Sequence, residues 1–107
     1  MEDVLNKIKK TILEVARRYN IEIDKIILFG SRARGDYREE SDWDILIVTK
    51  EKLDWRVRKK FLGEILRIFA KRNMRVDTLI IDSNNLEEYK NWEGFVYHYA
   101  VEEGLKI

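Results

Sequence analysis

Asp42 and Asp44 stand two residues apart at the head of an apolar run, Ile45-Leu46-Ile47-Val48. On an extended chain that spacing sends both carboxylates to one face, with Trp43 and Ile45 on the other. Two oxygen donors on one rigid edge suit a hard divalent cation such as Mg²⁺, with water and phosphate oxygens completing its shell. The pair alone is weak evidence, because the chain's eight Asp predict about 0.6 such pairs by chance. Asp77 strengthens it. It is the one acid in Arg75-Val76-Asp77-Thr78-Leu79-Ile80-Ile81, a segment otherwise suited to a buried strand. An unpaired buried charge is costly, so this carboxylate is expected to have a cation or a donor beside it. If its strand neighbours the one that follows Asp44, the three acids meet.

A second cluster precedes the first. Gly30-Ser31-Arg32-Ala33-Arg34-Gly35 follows the apolar run at 25–29. Gly30 allows the backbone to approach a ligand closely, and free N–H groups where a helix starts favour an anion. Ser31 adds a hydroxyl and is expected to cap a short helix. Arg32 and Arg34 are both near enough to meet phosphate charge, and the sequence leaves open which one turns inward. A lone Gly-Ser carries no information. Gly-Ser after a strand, a second Gly, and paired Asp opening the next strand point to a nucleoside triphosphate held beside a metal.

Hydrophobic spacing supplies the elements that must position these residues. Val4, Leu5, Ile8, Ile12, Val15, Ala16 and Tyr19 recur at three- and four-residue steps, which predicts a helix over 3–19 that stops at Asn20. Residues 25–29 and 44–48 read as strands, joined by a polar, turn-rich connection over 35–41. A long helix is expected from about Asp54, with Trp55, Phe61, Leu62, Ile65, Leu66 and Phe69 on its core face. Residues 75–81 form a third strand, 83–89 a short helix, and 92–103 a last helix closed by Gly104 at the left-handed position. Alternating strands and helices give an α/β (α+β) domain, a small mixed sheet of three or four strands flanked by helices.

The chain has 107 residues, enough for one domain over 1–107 that buries roughly 65% of its unfolded surface. No linker, repeat or low-complexity tract divides it, and no apolar run approaches the ~20 residues of a membrane helix. The start reads as an amphipathic helix and not as a signal peptide. With no Cys there is neither a disulfide framework nor a thiolate metal site, which fits the cytoplasm. Lys and Arg number 21 against 20 Asp and Glu, so a general nucleic-acid binder is not indicated. Abundant Lys, Arg, Glu and Ile suit a thermophile, while the absence of Pro argues the other way.

The strings Gly30-Ser31…Gly35 and Ser41-Asp42-x-Asp44, with the later Asp77, resemble the DNA polymerase β-like nucleotidyltransferase superfamily. The likeness is strongest to its minimal nucleotidyltransferase (MNT) proteins. In these, Gly-Ser-Arg-Ala-Arg-Gly and Ser-Asp-x-Asp-hydrophobic strings are typical, and an aromatic helix ends in Glu-Gly, here Glu103-Gly104. It covers nearly the whole chain, with Ile45 where Leu is common.

The resemblance implies a polymerase β palm-like fold and a site for two Mg²⁺ ions. Asp42 and Asp44 would bind both ions. Asp77 would complete one site and help to activate the attacking hydroxyl. Gly30 and Ser31 would hold the β- and γ-phosphates, and Arg32 and Arg34 would line the nucleotide site. The hydroxyl attacks the α-phosphate and pyrophosphate leaves. Two metals about 4 Å apart need no His or Cys nucleophile. The family's minimal members are commonly antitoxins of helical HEPN proteins, RNase toxins. The implied reaction is therefore transfer of AMP from ATP to a toxin tyrosine.

Other readings stay open. The chain could neutralise its partner by binding alone, or modify a small molecule or an RNA, and its oligomeric state, homodimer or hetero-oligomer, is not legible. The basic run Arg56, Arg58, Lys59, Lys60 reads as a solvated helix face. Trp55, Phe61 and Phe69 sit at core spacing. Trp92, Phe95, Tyr97 and Tyr99 divide between core and interface, and His98 among them reads as a surface or packing residue.

Overall fold

A computed structural model describes residues 2–107. Along the chain run α1 (Glu2–Arg18), β1 (Ile23–Phe29), α2 (Ser31–Arg34), β2 (Trp43–Thr49), α3 (Trp55–Lys71) and β3 (Val76–Asp82). They are followed by α4 (Ser83–Tyr89), α5 (Val96–Glu103) and β4 (Leu105–Lys106). The strands form one sheet in the order β3-β2-β1-β4. β1 is antiparallel to β2 and to β4, whereas β2 and β3 are parallel, with α3 as the crossover that a parallel pair requires.

Alternation along the strands builds two cores. Ile26, Leu28, Ile45, Ile47 and Ile80 pack with Ile8, Ile12 and Val15 of α1 and with Phe61, Ile65 and Phe69 of α3. Ile27, Leu46, Val48 and Ile81 point the other way, onto Leu86 of α4 and Ala100 of α5. β2 lies between two strands and two helical layers, and its Ile45 to Val48 are fully buried. A continuous apolar run is what such a strand needs. Among the described residues no helix is long and apolar enough to cross a membrane.

α1 stops before Asn20, as expected, and Asn20 takes the left-handed conformation, φ 56°. Four expectations about the elements need correction. Trp55 is 66% exposed, because it lies six residues before Phe61, roughly two-thirds of a turn from the core stripe. Leu66 is off that stripe for the same reason and is exposed too. The last helix begins at Val96 and not at Trp92, since Gly94 takes φ 91° in a turn that precedes it.

Gly104 is extended (φ −75°, ψ 157°), not left-handed. Its need is space: a Cβ there would strike the Ala100 carbonyl and the Ile27 side chain. The chain passes through that gap into β4, a strand that spacing did not reveal.

Candidate active site

β2 and β3 run parallel in a register that sets Asp44 opposite Asp77. Trp43 and Val76 belong to the α1–α3 core, so their neighbours Asp44 and Asp77 project to the α4–α5 side. The Trp43 amide donates to the Arg75 carbonyl at 2.8 Å, which continues the ladder to the start of β2 and holds the adjacent Asp42 there. The second core lies further along β2 and β3, at Leu46, Val48 and Ile81. The acids are thus left at an uncovered end of the sheet. Asp77 is exposed, not the buried charge expected from its strand. Asp44 is the half-buried member. Desolvation raises its carboxyl pKa above the ordinary value, the charges of Asp77 and then Asp42 raise it further, and Arg34 opposes them.

The glycine turn closes onto this edge. Phe29, the last residue of β1, pairs with Asp44, so Gly30 arrives beside that carboxylate. It takes φ 73°, and a Cβ there would run into the Asp44 carboxyl. A side chain is excluded both by conformation and by contact. Gly30 also occupies the N-cap of α2, without a side-chain cap bond, and Ser31 is the first helical residue. This corrects the expected serine cap. The amides of Ala33 and Arg34 both donate to the Gly30 carbonyl at 3.1 Å, and Gly35 closes the turn at φ 92°.

The two arginines part. Arg34 stays on the acidic side, where its charge acts on Asp44; its Nη1 donates to Glu103 at 3.1 Å and its Nε to Asp36 at 3.4 Å. Arg32 turns the other way. Its guanidinium lies over Trp43, 4.3 Å from the ring centroid, and its Nη2 donates to the carbonyls of Glu39 and Ser41 at 3.0 Å each.

Two residues were not anticipated. Arg75 places Nε 3.7 Å from Asp42 and donates from Nη1 to the Glu40 carbonyl at 3.1 Å. Glu103 holds Arg34. The sequence signal for Arg75 was its position two before Asp77, readable only once β3 is known to lie beside β2. Glu103 was visible as half of Glu-Gly but carried no role. His98 donates from Nδ1 to the Lys90 carbonyl at 2.7 Å and is a packing residue.

The donor set fits magnesium. Three carboxylates share one end of the sheet, the pKa of one raised by burial and by the other two, and oxygen donors of this kind suit a hard cation. Among the described residues no three His, Cys, Asp or Glu side chains come together as a group that could hold a metal ion. The aspartates line an open edge instead.

Comparison with known proteins agrees with this architecture. The family profile described as polymerase beta, nucleotidyltransferase, matches residues 7–92. A candidate protein adenylyltransferase of Methanocaldococcus jannaschii is 37% identical over 78 residues, 73% of this chain and 72% of that protein. The crystal structure of a candidate nucleotidyltransferase from Sulfolobus solfataricus superposes with TM-score 0.60 at 27% identity, covering 94% of this chain and 76% of that one. A toxin–antitoxin crystal structure with AMP-PNP shares the fold, at TM-score 0.51 and 21% identity, over 91% of this chain and 69% of that one. The profile takes in most of the chain, and the Methanocaldococcus relative matches it over nearly three-quarters of its length; this chain belongs to the polymerase β nucleotidyltransferase family.

Proposed function

We propose that this chain is a magnesium-dependent nucleotidyltransferase that moves AMP from ATP onto a hydroxyl of a protein partner, a tyrosine of a HEPN-type toxin, and so serves as its antitoxin. The observation that carries the reading is the β2–β3 register, which pairs Asp44 with Asp77 beside Asp42 and under Gly30. The Methanocaldococcus relative, named as a protein adenylyltransferase candidate, supports the acceptor class. The complex with AMP-PNP supports the nucleotide and the partnership.

In this reading Asp42, Asp44 and Asp77 are the groups that hold magnesium. When bound, the metal supplies charge neutralisation for the α-phosphate and for the entering and leaving oxygens. Gly30, having no side chain, lets the turn lie against the Asp44 carboxyl, and Gly30 and Ser31 at the start of α2 would hold the β- and γ-phosphates. Arg34 lends positive charge on the same side. Asp77, exposed and, unlike Asp42, not paired with Arg75, takes the proton of the acceptor hydroxyl. The acceptor oxygen bonds to the α-phosphorus, the bond to the bridging oxygen breaks, and pyrophosphate departs.

The test combines the protein, its cognate toxin, Mg²⁺ and α-labelled ATP, beside an Asp42→Asn/Asp44→Asn double variant. Label on a toxin tyrosine that is absent with the variant is the expected result. Equal neutralisation of the toxin by both proteins, without label, would overturn catalysis and leave masking by contact. Label on added RNA or small molecules alone would move the acceptor class.

A further inference from the structure

The connection from Gly35 to Asp42 has no regular structure, yet it must hold Asp42 steady at the sheet end. Three consecutive carbonyls within it are claimed by arginines from outside. Those of Glu39 and Ser41 accept from Arg32, and that of Glu40 accepts from Arg75. Within the loop, the Arg38 amide donates to Ser41 Oγ at 2.8 Å, and the Ser41 amide donates back to the Arg38 carbonyl at 3.1 Å. Arg32 is the central strut. Its guanidinium sits within 4.3 Å of the Trp43 ring centroid and 4.5 Å of that of Tyr37, so aromatic rings at both ends of the loop contact one cation.

This places Arg32 on the wrong side of the strand for a substrate. Trp43 and Asp44 are successive strand residues and point to opposite faces. Arg32 keeps the Trp43 face, where it lines a groove of about 320 Å³ together with Val4, Lys7 and Arg72 of the α1–α3 layer. Among the described residues its Nε is buried without a hydrogen-bond partner. To reach a triphosphate it would have to release two carbonyls and leave two rings.

We infer that Arg32 is a positioning residue: it touches no nucleotide, and its guanidinium fork fixes the 39–42 backbone so that Asp42 meets the metal beside Asp44. The inference rests on the metal-site reading above, but its first readout does not. Lysine keeps the charge but loses the planar guanidinium that lies against both rings while Nη2 reaches two carbonyls, so Arg32→Lys separates the two roles.

The test compares wild type with Arg32→Lys and with Arg34→Lys. In hydrogen exchange without ligand, the amides of 38–43 in Arg32→Lys should exchange faster by on the order of tenfold, while those of β1 and α3 keep their protection. Mn²⁺ affinity should fall about 10–100-fold, the usual effect of removing a ligand's support. In the transfer assay kcat should drop, excess magnesium should restore it, and the KM for ATP should hold. Arg34→Lys should show the opposite split, a raised KM with loop protection intact. Unchanged exchange over 38–43 in Arg32→Lys would overturn the inference whether or not the chain transfers AMP. So would normal Mn²⁺ affinity with weakened ATP binding. A wild type that binds no Mn²⁺ would instead count against the metal site and leave the exchange result to decide the strut.

Discussion

Asp44 concentrates the conflict between folding and chemistry. Burial and two neighbouring carboxylates raise its pKa in the folded chain, so the native state favours its protonated form more than the unfolded chain does. Its stabilising contribution is complete below the unfolded value, 3.8, and is lost as pH rises through the higher folded one. At neutral pH without metal its charge is therefore a cost. Asp44→Asn should melt a few degrees higher than wild type in EDTA at pH 7, with the gap closing as pH falls towards 4, and should transfer no AMP. Magnesium should raise the wild-type melting temperature and leave the variant's unchanged. Calorimetry across pH reads both, and a variant less stable than wild type at neutral pH would contradict the repulsion. Gly30→Ala tests the other side of this contact. A residue at φ 73° with its Cβ against Asp44 should cost about 1–3 kcal/mol in denaturant unfolding and abolish transfer.

At the scale of elements, the residues that were legible are those whose period alone decides their fate. The Ile45 to Val48 run could be read as a central strand because burial on both faces requires four apolar residues in a row. The convergence of Asp42, Asp44 and Asp77 was conditional on one strand pairing, and no local pattern encodes which strands pair. Arg32 shows where that limit bites: its direction depends on which face Trp43 occupies, so its phosphate contact and its loop contact looked alike in sequence. β4 was hidden because it is two residues long and pairs only with Ile27 and Leu28. Caps were half visible. Asp54 does cap α3, accepting from the Arg56 amide at 2.8 Å, but Asp82 had no reading at all. It is buried at the end of β3 and caps α4, accepting from the Asn85 amide at 3.1 Å and the Asn85 side chain at 2.8 Å. Asp82→Ala should lower stability by about 1–2 kcal/mol and speed exchange first in α4, without changing Mn²⁺ affinity. Equal loss of protection in α1 would show that α4 does not loosen alone.

Over the whole molecule the two helical layers are unequal. α1 and α3 place eight residues among the fully or nearly fully buried set, whereas α4 and α5 give Leu86 and Ala100. The thinner layer also carries Trp92, Phe95 and Tyr99, each between 43% and 49% exposed. Tyr89, Trp92 and Phe95 support one another, with centroids 5.3 to 5.8 Å apart, and stiffen the turn before α5. Tyr99 stands outside that stack. Aromatic and apolar anchors on the layer that shares its face with the aspartates would dock a protein acceptor where its hydroxyl meets Asp77. Tyr99→Ser should then leave thermal stability within about 0.5 kcal/mol and weaken toxin retention about tenfold or more. Leu86→Ala, by contrast, removes a buried side chain and should cost about 2–5 kcal/mol. Calorimetry and a binding titration with the cognate toxin separate the two effects. Undiminished retention by the Tyr99→Ser variant would move the partner's seat off α5 and leave that exposed ring without a function.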